Sequence, residues 1–380
     1  MSEGQPSASI AGTGSFLPPH RVDNRTLFEH PGIRENFDVE RARGSLKDAG
    51  DASGLSPAEV FDLWARQVTG IEERRAITEG DGLTTELMCA EAGRRALDAA
   101  GMEADELDLI LAASLTGSRQ VPNVACTVAA ELGVPRVGGY VLNAACSGFV
   151  YALGSAYAHV RAGTARNVLV VVGDTLTKIT NYSDPKTAVL FGDGAGAAVL
   201  TPCPEGEGVL GRPYFEADYA YEHLNLLGQG WETPEEPEPK LHMGGGPQVL
   251  RQAIQAMKRV AQRALESTEL GWADIDYVIP HQANLRITQG LERQLPLTSG
   301  KVIHTIRSYG NMSASTVAVT LDEVLRGLHG PLPDPTRLVL TAVGGGYTSA
   351  GLVVDWRPSG RGRGARQGAG DAVTERILGR

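Results

Sequence analysis

The chain has 380 residues, 42% of them hydrophobic and 21% charged, with a formal charge of −10 at neutral pH. That length exceeds what a single hydrophobic core usually fills, so two packed halves are expected. The acidic balance excludes a general nucleic-acid binder. Four cysteines, Cys89, Cys126, Cys146 and Cys203, show no CxxC spacing, which argues against a zinc site and a disulfide framework alike.

The opening stretch, "MSEGQPSASIAGTGSF", lacks the basic start and apolar core of a signal peptide. No apolar run reaches the ~18 residues of a membrane span, and a soluble, cytoplasmic protein is expected. Residues 30–60 are charged and irregular and read as an insertion. "TTELMCAEAGRRAL" then has apolar residues at helical spacing. It runs into "ALDAAGMEADELDLIL" (96–111), the end of a helix, a polar turn and an apolar strand. The same plan returns in "ALESTELGWADIDYVI" (264–279), after the helical "VLRQAIQAMKRVAQRAL". "FGDGAGAAVL" (191–200) and "VGGGYTSAGLVV" (343–354) form a second matched pair, each a Gly-rich turn entering a strand. Two pairs in one order predict a duplicated α/β fold, with halves at 1–200 and 201–357. Between them "GWETPEEPEPK" (230–240) reads as a solvated loop, and the Gly/Arg-rich tail 358–380 as disordered.

Candidate chemistry begins at "NAACSGFVYALGSAYAHV" (143–160), where Cys146 ends a strand-like run and opens a helical one. A buried cysteine is ordinarily a small hydrophobe, but a thiol at a helix N-terminus is drawn toward the thiolate. Of eight histidines, only His281 directly follows an apolar strand, "DYVIP", and precedes a polar turn. The C-terminal end of a strand is where open α/β sheets place ligands, although a core histidine would look the same. The others sit in loops or mid-helix without a polar cluster. Asn311, in "HTIRSYGNMSASTVAVTL", is either a turn residue or an amide donor to a developing anion. Glycines 344–346 would let backbone approach a ligand closely. "GDGAG" at 192–196 precedes a strand and is no dinucleotide fingerprint.

Taken in order, "NAACSGFVYAL", "FGDGAGAAVL", "PHQANLRI", "YGNMSAS" and "GGGYTSAG" closely resemble the ketoacyl-ACP synthase III family of the thiolase superfamily, over roughly residues 8–356. The resemblance implies a thiolase-like α/β fold of two duplicated halves in layered α-β-α-β-α order, and a homodimer. It implies a two-step reaction without metal or permanently bound cofactor. Cys146 takes an acyl group from a thioester of acyl carrier protein or coenzyme A. A malonyl thioester then loses carbon dioxide, and its carbanion attacks the acyl-cysteine. His281 and Asn311 would stabilise the enolate, the backbone N–H groups of Cys146 and Gly346 the oxyanion, and Asn284 would support the histidine.

Departures fall at the carrier entrance. Trp64 matches an aromatic that stacks on the coenzyme A adenine, but the arginines expected near it are Val68 and Glu72, and a third is Pro185, beside Lys186. A clamp without its cations should hold coenzyme A weakly. Arg286 and Arg293, matching a basic face for acyl carrier protein, fit a carrier-bound donor better. Val121 stands where many relatives place a phenylalanine that closes the partner subunit's acyl pocket. The implied setting is fatty-acid or polyketide synthesis in a specialised pathway. The alternative is acyl transfer from Cys146 to a hydroxyl or amine.

Overall fold

Unbroken apolar runs such as "VLVVV" at 168–172 suit strands covered on both faces, and the fold supplies that cover. The computed structural model describes residues 7–46, 52–219, 224–225, 240–243 and 246–358. The expected loop at 230–240 lies almost wholly outside the described residues, as does the tail beyond residue 358.

In the N-terminal half the strands are β1 (Ser7–Phe16), β2 (Arg21–Asp23), β3 (Glu73–Arg75), β4 (Leu109–Ala113), β5 (Gly138–Leu142), β6 (Val168–Thr175) and β7 (Asp193–Cys203). Its helices are α1 (Asn24–Phe28), α2 (Pro31–Asn36), α3 (Val39–Ser45), α4 (Pro57–Thr69), α5 (Thr85–Ala100), α6 (Val124–Glu131), α7 (Gly148–Ala162) and α8 (Pro185–Ala188). The C-terminal half follows with β8 (Gly208–Glu216), β9 (Leu224–Asn225), β10 (His242–Met243), β11 (Tyr277–Pro280), β12 (Thr336–Val343) and β13 (Ser349–Trp356). Its helices are α9 (Pro247–Glu266), α10 (Leu285–Glu292), α11 (Ile306–Tyr309) and α12 (Ser315–Leu325).

Two sheets carry the architecture, ordered β1-β7-β6-β4-β5 and β11-β12-β13-β8. In the first, β4 runs parallel to β5 and β6, and β7 returns antiparallel. In the second, β11 and β12 are parallel and β13 returns antiparallel. Helices α5 and α6 cover the outer face of the first sheet. Helices α7 and α12 fill the space between the sheets, where Phe149, Leu153, Val317 and Leu321 join a core shared by both. The far face of the second sheet is closed by α9 and α10 through Met257, Leu265 and Leu291. The result is the layered α-β-α-β-α thiolase-like fold.

The duplicated sequence plan has a duplicated physical cause. Asp108, before β4, accepts hydrogen bonds from the backbone N–H groups of Arg166 and Asn167, both at 2.8 Å, and so fixes where β6 begins. Asp276, before β11, accepts from the Arg337 N–H at 2.8 Å and fixes the start of β12 in the same way. Each aspartate satisfies a strand-end donor and sets the register of a parallel pair.

Residues 30–60 are more regular than their composition predicts. They fold into α2, α3, a one-turn 3-10 helix (Ala52–Gly54) and the start of α4, apart from residues 47–51, which lie outside the description. Side-chain caps explain the order: His30, Asp38 and Ser56 each accept a bond from a first-turn N–H, and Ser56 with Glu59 completes a capping box. Phe37, at the end of α2, packs against Phe28, Phe61 and Trp64.

Candidate active site

Cys146 lies just beyond the end of β5, in a 3-10 turn (Ala145–Ser147) that leads directly into α7. The turn is tight. Ala145 has φ +48°, and its N–H donates to Asn143 Oδ1 at 3.1 Å. Across from it, a Cβ added to Gly344 would stand 2.7 Å from the Cys146 nitrogen, so the glycine run brings backbone against the cysteine itself. Thr348 secures that approach by donating to the Ala144 carbonyl at 2.8 Å. The thiol is 5% exposed. Burial pushes its pKa up to about 12, and only the nearby Ser313 hydroxyl and a backbone hydrogen bond pull it back. Desolvation thus favours the protonated thiol, against the thiolate that a place at a helix N-terminus favours.

His281 follows β11 at the C-terminal end of a parallel strand, with its N–H donating to the Thr341 carbonyl at 2.8 Å. It is 2% exposed, and burial lowers its pKa to about 3, so the imidazole is neutral throughout the physiological range. Its Nδ1 is paired with the Thr316 hydroxyl at 2.7 Å, which leaves Nε2 for a ligand.

Asn311 is 6% exposed and sits between α11 and α12. Its N–H donates to the Leu190 carbonyl at 2.8 Å, and its carbonyl accepts from the Gly192 N–H at 3.0 Å. This stitching accounts for "FGDGAG". A Cβ on Gly192 would lie 2.6 Å from the Tyr309 oxygen, and one on Gly196 would lie 2.4 Å from the Ala318 Cβ. The glycines admit the Asn311 segment and α12 rather than a nucleotide. Asn311 Oδ1 accepts the Ser313 N–H at 2.9 Å, so its amide NH2 remains available as a donor.

Ser313 joins the three groups. It faces the Cys146 thiol, its N–H holds Asn311, and its carbonyl accepts from Thr316, the partner of His281, at 2.9 Å. Sequence reasoning missed Ser313 and Thr316, because each looks like an ordinary small residue at a helix start. Ala145, Ser313 and Tyr347 are the non-glycine residues with positive φ among the described residues. Each lies within two residues of a predicted site residue, and strained backbone of this kind persists where the surroundings over-determine it. Among the described residues there is no group of three His, Cys, Asp or Glu side chains suited to a metal, and no helix is long and apolar enough to cross a membrane.

Comparison with known proteins places the chain in a family. Residues 141–214 match the family described as 3-oxoacyl-[acyl-carrier-protein (ACP)] synthase III, and residues 265–356 match its C-terminal part. The beta-ketoacyl-[acyl-carrier-protein] synthase III of Desulfitobacterium hafniense is 36% identical over 359 residues, spanning 93% of this chain and 99% of the relative. The chain belongs to the 3-oxoacyl-[acyl-carrier-protein] synthase III family. It is an acyl-transferring condensing enzyme. The crystal structure of the Aquifex aeolicus synthase III superposes with a TM-score of 0.76 at 30% identity, covering 92% of this chain and all of the other. The priming beta-ketosynthase of the R1128 polyketide pathway gives 0.80 at 30% identity, covering 93% and 98%.

The outer candidates of this synthase are more dispersed. Gly346 has φ +69° in the turn facing Cys146. Asn284 caps α10, accepting from the Arg286 N–H at 2.8 Å and donating to the Val68 carbonyl at 3.0 Å, so it ties α10 to the end of α4. Arg286, Arg293 and Lys186 are exposed. Val121 is 87% exposed. Trp64 is half-buried, its ring 5.1 Å from that of Phe37 and 5.7 Å from that of Phe61. Glu72 pairs with Arg66 at 3.5 Å and with Arg307 at 3.1 Å. Three histidines read as lacking polar company in fact have it. His159 meets Tyr140 and Thr164, His304 meets Thr288 and Glu292, and His329 meets Glu323. These contacts join segments distant in sequence, or lie across a helix end, where composition gives no sign of them.

Proposed function

We propose that this synthase carries an acyl group on Cys146 and condenses it with a malonyl thioester on a carrier protein. The observation that carries this reading is the neutral, donor-bearing pair His281 and Asn311, held around a buried thiol through Ser313 and Thr316. When the malonyl group loses carbon dioxide, negative charge develops on its thioester oxygen. The Asn311 amide stabilises that charge without accepting a proton, and His281 Nε2–H joins it when the Thr316 hydroxyl turns its single proton from the Ser313 carbonyl to Nδ1, which selects the Nε2–H tautomer. In the acylation step the backbone N–H groups of Cys146 and Gly346 serve the carbonyl oxygen of the thioester. Acyl transfer to a hydroxyl or amine would need a group to deprotonate the acceptor. Neither group of the pair aimed at the acceptor suits this: an amide cannot do it, and a histidine titrating near 3 is a poor base.

For the donor, the reading favours acyl carrier protein over coenzyme A. Phe37, from the inserted segment, already packs on Trp64, and Glu72 engages Arg66 and Arg307. A half-buried ring crowded by Phe37 and guanidiniums already paired have less to offer an adenine and its phosphate. The exposed Arg286, Arg293 and Lys186 suit an acidic carrier surface. The test is intact-protein mass spectrometry of Cys146 loading from matched acyl-carrier and acyl-CoA thioesters, followed by malonyl carrier protein. A β-ketoacyl carrier with released carbon dioxide, and loading at least about tenfold faster from the carrier, are expected. Equal loading from coenzyme A would overturn the donor assignment. An acyl-enzyme inert to malonyl carrier but discharged by an alcohol or amine would overturn condensation.

The reading includes a homodimer. Strand β5 ends its sheet, with Tyr140 on it 39% exposed, and an unpaired edge strand invites pairing. In such a dimer Val121 reaches the neighbouring acyl pocket, and its small side chain leaves room for a longer or branched chain. Light scattering should give twice the chain mass; a monomer at micromolar concentration would contradict this.

A further inference from the structure

A buried carboxylate beside Cys146 has no part in the steps above. Asp174, near the end of β6, is wholly buried. Its Oδ1 accepts from the Ser114 hydroxyl at 3.0 Å, the Leu115 N–H at 2.7 Å and the Thr116 hydroxyl at 3.0 Å. Its Oδ2 is equally buried and has no hydrogen-bond partner, and the buried hydroxyl of Ser313 has none either. They are two of six such side-chain atoms among the described residues, and what sets these two apart is that both face one thiol. They are neighbours. The Ser313 hydroxyl faces both the Asp174 carboxylate and the Cys146 thiol and favours the ionised form of each, without an aligned bond to either.

We propose that Asp174, acting through the Ser313 hydroxyl, receives the Cys146 proton during acyl loading. As the Cys146 sulfur bonds to the thioester carbonyl carbon, its proton passes to Ser313 Oγ, and the Ser313 proton passes to Asp174 Oδ2. The carbonyl π pair moves onto oxygen. When it returns, the bond to the leaving sulfur breaks with its electron pair on that sulfur, which takes back one proton by the reverse route. One thioester is exchanged for another and no proton is gained or lost overall. Asp174 is a positioning residue in this scheme, since it reaches the reacting sulfur only through Ser313.

Relative basicity supports the assignment. Burial raises the Asp174 carboxyl to about 6, whereas burial lowers His281 to about 3, so the carboxylate is the better proton acceptor at neutral pH. The titratable groups that feel Asp174 are Cys146 from the turn before α7 and Cys89 from α5, which also feels Glu86; none of them is a cation. Ser114 and Thr116, which hold its other oxygen, are half-buried and link it toward the surface.

The inference rests on Cys146 being the acylated residue, and the test separates the two. Acyl loading from an acyl-carrier thioester is followed by intact mass between pH 5 and 9, with the adduct located by peptide mapping. The variants are Asp174→Asn, Asp174→Glu and Ser313→Ala. In the unsubstituted enzyme the rate should rise with pH through about 6, the Asp174 value. Asp174→Asn should lose that rise and load at least about tenfold more slowly at pH 7. Asp174→Glu should recover part of it, and Ser313→Ala should behave as Asp174→Asn does. The asparagine oxygen can keep the three donors of Oδ1, and circular dichroism checks its fold; if it fails to fold, Ser313→Ala decides alone. The overturning result is loading as fast as, or faster than, the unsubstituted enzyme. That would follow if Asp174 only repelled the thiolate by its charge, the sign its field has on Cys146. An adduct located elsewhere than Cys146 in the unsubstituted enzyme would instead remove the nucleophile on which both readings stand.

Discussion

Cys146→Ala is expected to abolish acyl loading: no mass gain on incubation with an acyl thioester, and condensation reduced by at least about four orders of magnitude, or ~5 kcal/mol of transition-state stabilisation. The other thiols cannot substitute. Cys126 is exposed on α6, Cys203 ends β7, and Cys89 is buried under β6 with its pKa well raised. The control is needed because resting reactivity will mislead. With its thiol held up to about 12, Cys146 is protonated at pH 7, and a small electrophile should modify exposed Cys126 first. Selectivity for Cys146 arises only when a thioester occupies the site and its carbonyl oxygen meets the backbone donors. The same shift has a stability consequence. An unfolded thiol ionises near 9 and the buried one near 12, so its contribution is whole below pH 9 and declines as pH rises above it. Cys146→Ala should soften that alkaline decline in a urea titration while leaving stability at pH 7 within about 1 kcal/mol. An acyl adduct on the alanine variant at the original rate would sink the assignment.

How much of this was legible in the sequence depends on the distance over which each feature acts. The duplicated plan was legible because Asp108 and Asp276 do the same local task at matched strand starts. The placement of Cys146 and His281 was legible because His281 directly follows β11 and Cys146 lies in the short turn after β5, at the end where parallel strands deliver side chains. The glycines of "FGDGAG" and "GGG" could be recognised as turns, but their partners, Tyr309, Ala318 and Cys146, lie more than a hundred residues away. The order within residues 30–60 was hidden because three side-chain caps and one aromatic cluster outweigh a charged composition. Ser313, Thr316 and Asp174 were hidden most deeply. A serine, a threonine and a strand-end aspartate are common residues, and only their burial around one thiol distinguishes them. The fold is therefore written in periodicity, while much of the site is written in contacts that periodicity does not encode.

The second large effect is expected at Asn311. Asn311→Asp should lower malonyl decarboxylation by about 10²–10³-fold, or roughly 3–4 kcal/mol, while leaving Cys146 acylation within about threefold. The asymmetry follows from the two ends of the amide. Oδ1 accepts the Ser313 N–H at 2.9 Å, and an aspartate oxygen can keep that bond and with it the loop geometry. The other end changes from an NH2 donor to a carboxylate oxygen, so a donor aimed at the developing enolate becomes a like charge beside it. His281 cannot compensate by becoming a cation, because burial holds its pKa near 3 and it remains a single neutral donor. A buried carboxylate at 311 would itself resist ionisation, as Asp174 and Asp193 do. Partial recovery of decarboxylation toward pH 5, as the new acid takes up a proton and can donate again, is thus the second half of the prediction. Released carbon dioxide and acyl-enzyme mass, measured in parallel across pH, separate the two steps. Equal losses in both would mean that Asn311 organises the whole site through Ser313. An unchanged decarboxylation rate would place the enolate elsewhere.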